Sequence, residues 1–143
     1  MTDSTQKLVQ LAIEAAQTAY APYSNFHVGT ALLLDTGEII TGSNFENASY
    51  GMTLCAETVA IAKANSDGKL RAIREIAVAG GLAGHVGKAA DPITPCGRCR
   101  QIIKEVADLT DTDIPVHCAH AKGYETFRLS ELLPHGFGPA NLK

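Results

Sequence analysis

Three cysteines set the hardest constraint on what this chain can fold into. Cys55 lies in "TLCAETVA", and the pair Cys96 and Cys99 lies far downstream in "PCGRCRQ". A fold that uses all three has to bring two distant segments to one point. The Cys-x-x-Cys pair alone fits a redox dithiol or one half of a structural zinc clip. A redox pair has no use for a distant third cysteine, nor for Glu57 two residues beyond it. A structural clip is closed by four protein ligands, usually two such pairs. Here there is one pair, so Cys118 or one of the five histidines would have to be the fourth ligand.

The hydrophobic rhythm says where these cysteines sit. Leu8, Leu11, Ala12, Ala15, Ala16 and Ala19 follow helical spacing, with Ser4 as a cap, and Pro22 breaks the run. "HVGTALLL" and "EIITG" read as strands joined by the turn "DTG". "SNFENASYGM" reads as a loop, and a second helix is expected from Thr53 to Asn65. "IREIAVAGG" is a third strand, and residues 80–95, rich in glycine and alanine, are a long loop of the kind that often serves function. A third helix starts near Cys96 with Cys99, Ile102, Ile103 and Val106 on its apolar stripe. "IPVHCAH" and "ETFRL" are strands, and "SELLPHGF" is a short helix capped by Ser130. The order α-β-β-α-β-α-β-β-α predicts one α/β domain over residues 1–143, a three-layer α/β/α sandwich with at least one β-α-β crossover.

This places Cys55 in the first turn of the second helix, and Cys96 and Cys99 in the first turn of the third. Helix N-termini carry positive dipole ends and favour thiolates. Two such ends converging would hold three sulfurs around one zinc and leave a fourth position open, as catalysis requires. Glu57 cannot easily share that metal from its place in the turn. A carboxylate beside zinc-activated water can instead take a proton and return it.

Composition narrows the substrate. The 143 residues are 45% hydrophobic and 19% charged, with a net charge of −3 and a sequence pI near 5.9. No basic run offers phosphates a partner, so a nucleic-acid polymer is disfavoured and a small ligand fits better. The first ten residues lack a signal core or transit pattern, and no apolar run is long enough to span a bilayer. A soluble, cytoplasmic protein with reduced cysteines is expected.

A ligand followed by x-Glu, and later Pro-Cys-x-x-Cys, resembles the zinc deaminases. The stretches "YAPYSNFHVGTAL", "NFENASYG", "CAETVA", "PCGRCRQ" and "ELLPHGF" together resemble the small homotetrameric cytidine deaminases over nearly the whole chain. That resemblance implies a mixed five-stranded sheet. It also implies zinc-dependent hydrolysis of cytidine and deoxycytidine to uridine and deoxyuridine in pyrimidine salvage, with release of ammonia. By resemblance, Cys55, Cys96 and Cys99 bind Zn2+, and Glu57 shuttles protons. Asn44 and Glu46 match the pair that holds the ribose. Phe26 and Phe137 match aromatic positions of the base pocket, Phe137 being the one a neighbouring subunit donates. Tyr50 matches a position near the subunit boundary, and Ala56 one whose backbone faces the base. Implied partners are a nucleoside and further copies of the chain, with no organic cofactor, nucleic-acid polymer or membrane.

The chain departs from more familiar members in two places. They carry arginine directly after the catalytic glutamate, where this chain has Thr58, and often alanine where it has Arg98. Three thiolates around a dication leave one net negative charge, and Arg98 is expected to compensate it. "CAE" without arginine beside "CGRC" also occurs in blasticidin-type deaminases. This keeps a second substrate class open: modified cytidines or a blasticidin-S-like nucleoside. The "NFENASYG" motif, which those proteins lack, favours a plain nucleoside. Cys118 alternates with Val116 on a strand and reads as a buried free thiol, with His117 on the opposite face. The five histidines show no ligand spacing with the cysteines.

Overall fold

Strand pairing is what brings the distant segments together. The computed structural model describes residues 2–142. Its elements are Thr2–Ala15 (α1), Phe26–Leu34 (β1), Ile39–Ser43 (β2), Ala56–Ser66 (α2), Ile73–Leu82 (β3), Gly97–Thr110 (α3), Pro115–His120 (β4), Gly123–Arg128 (β5) and Leu129–Leu132 (α4). They form one mixed five-stranded sheet in the order β2-β1-β3-β4-β5. β3 and β4 are parallel, and every other pair is antiparallel. A parallel pair needs a long crossover, and α3 supplies it. The element order and the three layers are those expected from the sequence.

Period-2 alternation assigns a different texture to each face of the sheet. On one face Leu32, Ile76, Val78 and Val116 pack with Ala60 and Ile61 of α2 and Ile103 and Val106 of α3. Each leucine, isoleucine and valine among them contributes about 1.5–3 kcal/mol on burial. On the other face Ala31, Ala77, Ala79 and Ala119 meet Leu8, Val9 and Ala12 of α1. The alanine face is thin, so α1 lies close. A Cβ on Gly29 would fall 1.9 Å from the Ala12 carbonyl oxygen. Gly42 does the same for α2: a Cβ there would lie 2.7 Å from the Ala60 nitrogen and 2.9 Å from the Ala56 oxygen. This close contact fixes the height of α2 above β2, and hence of Cys55 and Glu57 at its start.

Several expected boundaries move. Ser4 does not cap α1, because the helix already runs from Thr2. α2 starts at Ala56 rather than Thr53, since residues 50–52 form a separate 3-10 turn and Leu54 bridges back to Phe45. β3 continues to Leu82, so Gly80 and Gly81 belong to the sheet and the long loop begins after it. Ser130 is the second residue of α4 and not its cap. Its hydroxyl and N–H both donate to the Asp113 carboxylate, at 2.6 and 3.0 Å, which ties α4 to the start of β4. Among the described residues, no helix is long and apolar enough to cross a membrane.

Candidate active site

The starts of α2 and α3 converge at the end of the sheet where β1 begins and β3 ends. Cys55 is the N-cap residue of α2 and Cys96 that of α3, both with extended backbone. Cys99 lies one turn into α3 and is fully buried. The expected position in the first helical turn is therefore corrected by one step for Cys55 and Cys96. The reason is shared: each thiol sits at the half-in residue, where its sulfur lies beside the positive end of the helix.

The three sulfurs lie within 4.8 Å of one another, and those of Cys55 and Cys96 are 3.7 Å apart. A tetrahedral zinc with Zn–S bonds of about 2.3 Å separates its sulfurs by about 3.8 Å. The donor set therefore fits zinc in both spacing and chemistry. Among the described residues, no histidine, carboxylate or fourth cysteine joins the cluster. A clip closed by Cys118 or a histidine is thus not formed, and three ligands leave the fourth position to solvent or substrate. Cys118 is buried, and burial pushes its thiol up to about 12.

Electrostatics inside the cluster are uneven. Hydrogen bonding from Cys99 pulls the Cys55 thiol down to about 6, with Cys96 and the charge of Arg98 adding and burial opposing. Cys99, the donor in that pair, is pushed well above the usual thiol range by Cys55 and by burial. Glu57 is only 4% exposed. Burial pushes its carboxyl up to about 7, and the neighbouring Cys55 adds to the rise. A glutamate poised near neutrality both holds and releases a proton at working pH.

A cavity of about 190 Å³ opens over this cluster. Cys55, Cys96, Ala56 and Glu57 form its floor. Phe26, Val28, Val78 and Ile93 form apolar walls, and Asn44, Thr53 and Thr94 supply polar groups. A larger cleft of about 470 Å³ lies between α3 and α4, away from the sulfurs. Chemistry rather than size identifies the site.

Of the residues singled out from sequence, Phe26, Asn44 and Ala56 join the three cysteines and Glu57 here. Asn44 extends the sheet with its side chain: Oδ1 accepts from the Val28 N–H and Nδ2 donates to the Phe26 carbonyl, both at 2.9 Å. One N–H and one lone pair stay open for a ligand. Glu46 does not line the cavity. Its Oε1 accepts from the N–H groups of Tyr23 and Ser24, at 3.0 and 3.2 Å, and its Oε2 accepts from the Ser24 hydroxyl. That hydroxyl, above all, holds the carboxylate below the usual glutamate range, against the effect of burial. Tyr50 and Phe137 are 74% and 59% exposed and do not line the cavity within this chain. Arg98 is exposed and acts on Cys55 through its charge.

Sequence reasoning gave no role to Val28, Thr53, Val78, Ile93 or Thr94, nor to Arg100. The Arg100 guanidinium donates to the Pro95 carbonyl at 2.7 Å, and to the Leu132 carbonyl and Thr94 hydroxyl at 2.9 Å. It fixes the cavity wall that leads into Cys96. Its place directly after a cysteine on α3 was the available signal.

The fold and site match known proteins. Residues 2–112 match the family model described as the cytidine and deoxycytidylate deaminase zinc-binding region. A cytidine deaminase of Halalkalibacterium halodurans is 44% identical over 133 residues, covering 92% of both chains. A cytidine deaminase of Sporosarcina psychrophila is 40% identical over 138 residues, covering 96% of this chain and 93% of that protein. The crystal structure of cytidine deaminase from Burkholderia pseudomallei superposes with a TM-score of 0.79 at 36% identity, covering 92% of this chain and 97% of that one. With a family model covering most of its length and relatives of this identity, the chain belongs to the cytidine and deoxycytidylate deaminase zinc-binding family.

Proposed function

We propose that this chain deaminates cytidine and deoxycytidine by hydrolysis, giving uridine, deoxyuridine and ammonia. The observation that carries this reading is the buried Glu57 carboxyl beside three sulfurs spaced for zinc, at the floor of a small cavity. Zinc held by Cys55, Cys96 and Cys99 supplies Lewis acidity, which brings the pKa of water toward neutral. Glu57 takes a proton from the attacking water as its oxygen bonds to C4 of the ring. It places that proton on ring N3, then takes the proton of the new C4 hydroxyl and passes it to the exocyclic amine. The C4–N bond breaks, and the amine leaves as ammonia. The apolar walls exclude bulk water, while Phe26 and the backbone of Ala56 orient the base.

The remaining roles follow the same reading. Asn44 offers its open N–H and lone pair to the sugar, and Glu46 shapes the loop beside it and contributes its remaining lone pair. Arg98 offsets the net negative charge of the centre. We further propose a homotetramer in which Tyr50 and Phe137 complete a neighbour's site. What supports this is a set of exposed aromatic rings: Tyr20 and Phe45 with ring centroids 6.0 Å apart, and Tyr23 and Tyr50 at 5.7 Å. Exposed aromatic patches of this kind mark interfaces. The chain acts as one domain, in the cytoplasm, in pyrimidine salvage. The alternative of a modified or blasticidin-like substrate finds no support among the relatives above.

The test is uridine formation from cytidine and deoxycytidine by the purified full chain, before and after a chelator removes its metal and zinc is restored. Activity that is lost and regained with zinc is the expected result. A zinc-loaded protein inert toward both nucleosides would overturn the reading.

A further inference from the structure

Thr58 follows Glu57 in α2, and its side chain faces α3. Its hydroxyl oxygen lies 3.7 Å from the Cys99 sulfur. A helical threonine often turns its hydroxyl back to the carbonyl three or four residues earlier. Thr58 instead reaches across to the second helix of the site. Its target is the one fully buried sulfur of the three, since Cys55 is half-buried and Cys96 exposed. A buried thiolate has lost its hydration and gains most from a fixed donor. Once sulfur is deprotonated, the hydroxyl is the only possible donor of that pair.

We infer that Thr58 is a positioning residue for the metal centre, donating a hydrogen bond from its hydroxyl to the Cys99 thiolate. This rests on the zinc reading proposed above. The bond spreads part of the sulfur's negative charge onto a neutral donor and locks α2 to α3 where their starts converge. It divides the work with Arg98, whose charge bears on Cys55 from the exposed side. Partners of this kind around metal ligands commonly change metal affinity by about 10–100-fold.

The experiment uses the full chain and its Thr58→Val and Thr58→Ser variants, with two readouts other than turnover. One is zinc affinity by competition with a chromophoric chelator. The other is the sulfur-to-metal charge-transfer band after cobalt substitution. The expected result is zinc binding about tenfold weaker or more in Thr58→Val, with its cobalt band moved to longer wavelength as the sulfur lone pairs rise in energy. Thr58→Ser should restore both. If Thr58→Val is insoluble, Thr58→Ala takes its place. Parent-like affinity and an unmoved band would overturn the inference and leave the zinc reading standing. Weaker zinc binding with an unmoved band would assign Thr58 to packing alone, and would also overturn it. A parent chain that takes up no stoichiometric zinc would overturn the metal reading and this inference with it.

Discussion

Glu57, in the inner half of the site, and Phe137, proposed for the outer half of a neighbouring copy's site, are held in different ways. Glu57 is 4% exposed, fixed in the first turn of a helix pressed against the sheet through Gly42. Phe137 is 59% exposed, in a segment anchored by the Gln101 side chain, which donates to its carbonyl at 2.7 Å. The inner half gets its geometry from helix and strand packing within one chain. Asn44, Glu46, Tyr50 and Phe137 depend instead on side-chain staples and exposed loop segments. The inner half thus brings the three sulfurs together beside a buried Glu57, while Tyr50 and Phe137 of the outer half leave their rings exposed.

Perturbations should separate the two halves. The largest effect is expected from Cys96→Ala, which removes one of three ligands and should abolish stoichiometric zinc binding, read by metal analysis. Next comes Gly42→Ala. The added methyl meets the Ala60 nitrogen and Ala56 oxygen below 3 Å, so α2 must lift. A loss of about 1–3 kcal/mol of stability is expected by denaturant titration, together with weaker zinc retention. Gly51→Ala, with nothing within 4 Å, should change neither. If both glycine variants behave alike, helix height does not set the inner half.

Phe137→Ala should leave the unfolding midpoint of the chain in place and weaken nucleoside affinity by roughly tenfold, about 1.4 kcal/mol. A loss confined to stability would contradict an outer role. The smallest effect concerns pH. Because the folded-state pKa of Glu46 lies below its ordinary value near 4.5, ionised Glu46 contributes stability above that value. The contribution disappears as pH falls through the lower folded-state value. Glu46→Gln should therefore flatten the acid side of the stability–pH curve, with KM for the nucleoside rising modestly. An acid limb identical to the parent's would remove Glu46 as the staple of residues 23–24.

The same division explains what was legible in the sequence. Alternation and helical spacing yielded the element order and the layers, because period-2 and period-3.6 burial is written directly in residue type. The cysteines and Glu57 were legible because metal ligation restricts residue choice and spacing. The exact helix starts were not: the residues before Ala56 form their own turn and bridge. Nor were the caps, since Ser130 spends its hydroxyl on Asp113, a partner distant in sequence. Glu46 could be picked out by its motif, but not its turn toward Ser24. The Thr58 contact with Cys99 and the Arg100 bond to Leu132 were missed because each joins segments that meet only in space.

The most direct test of the inner half is ammonia release from cytidine by the parent and by Glu57→Gln at matched zinc content. The account predicts that Glu57→Gln keeps its zinc and its fold and loses turnover by on the order of 10²–10⁴-fold, the contribution of a positioned proton carrier. A zinc-loaded Glu57→Gln that turns over like the parent would contradict it, leaving Glu57 as a buried bystander.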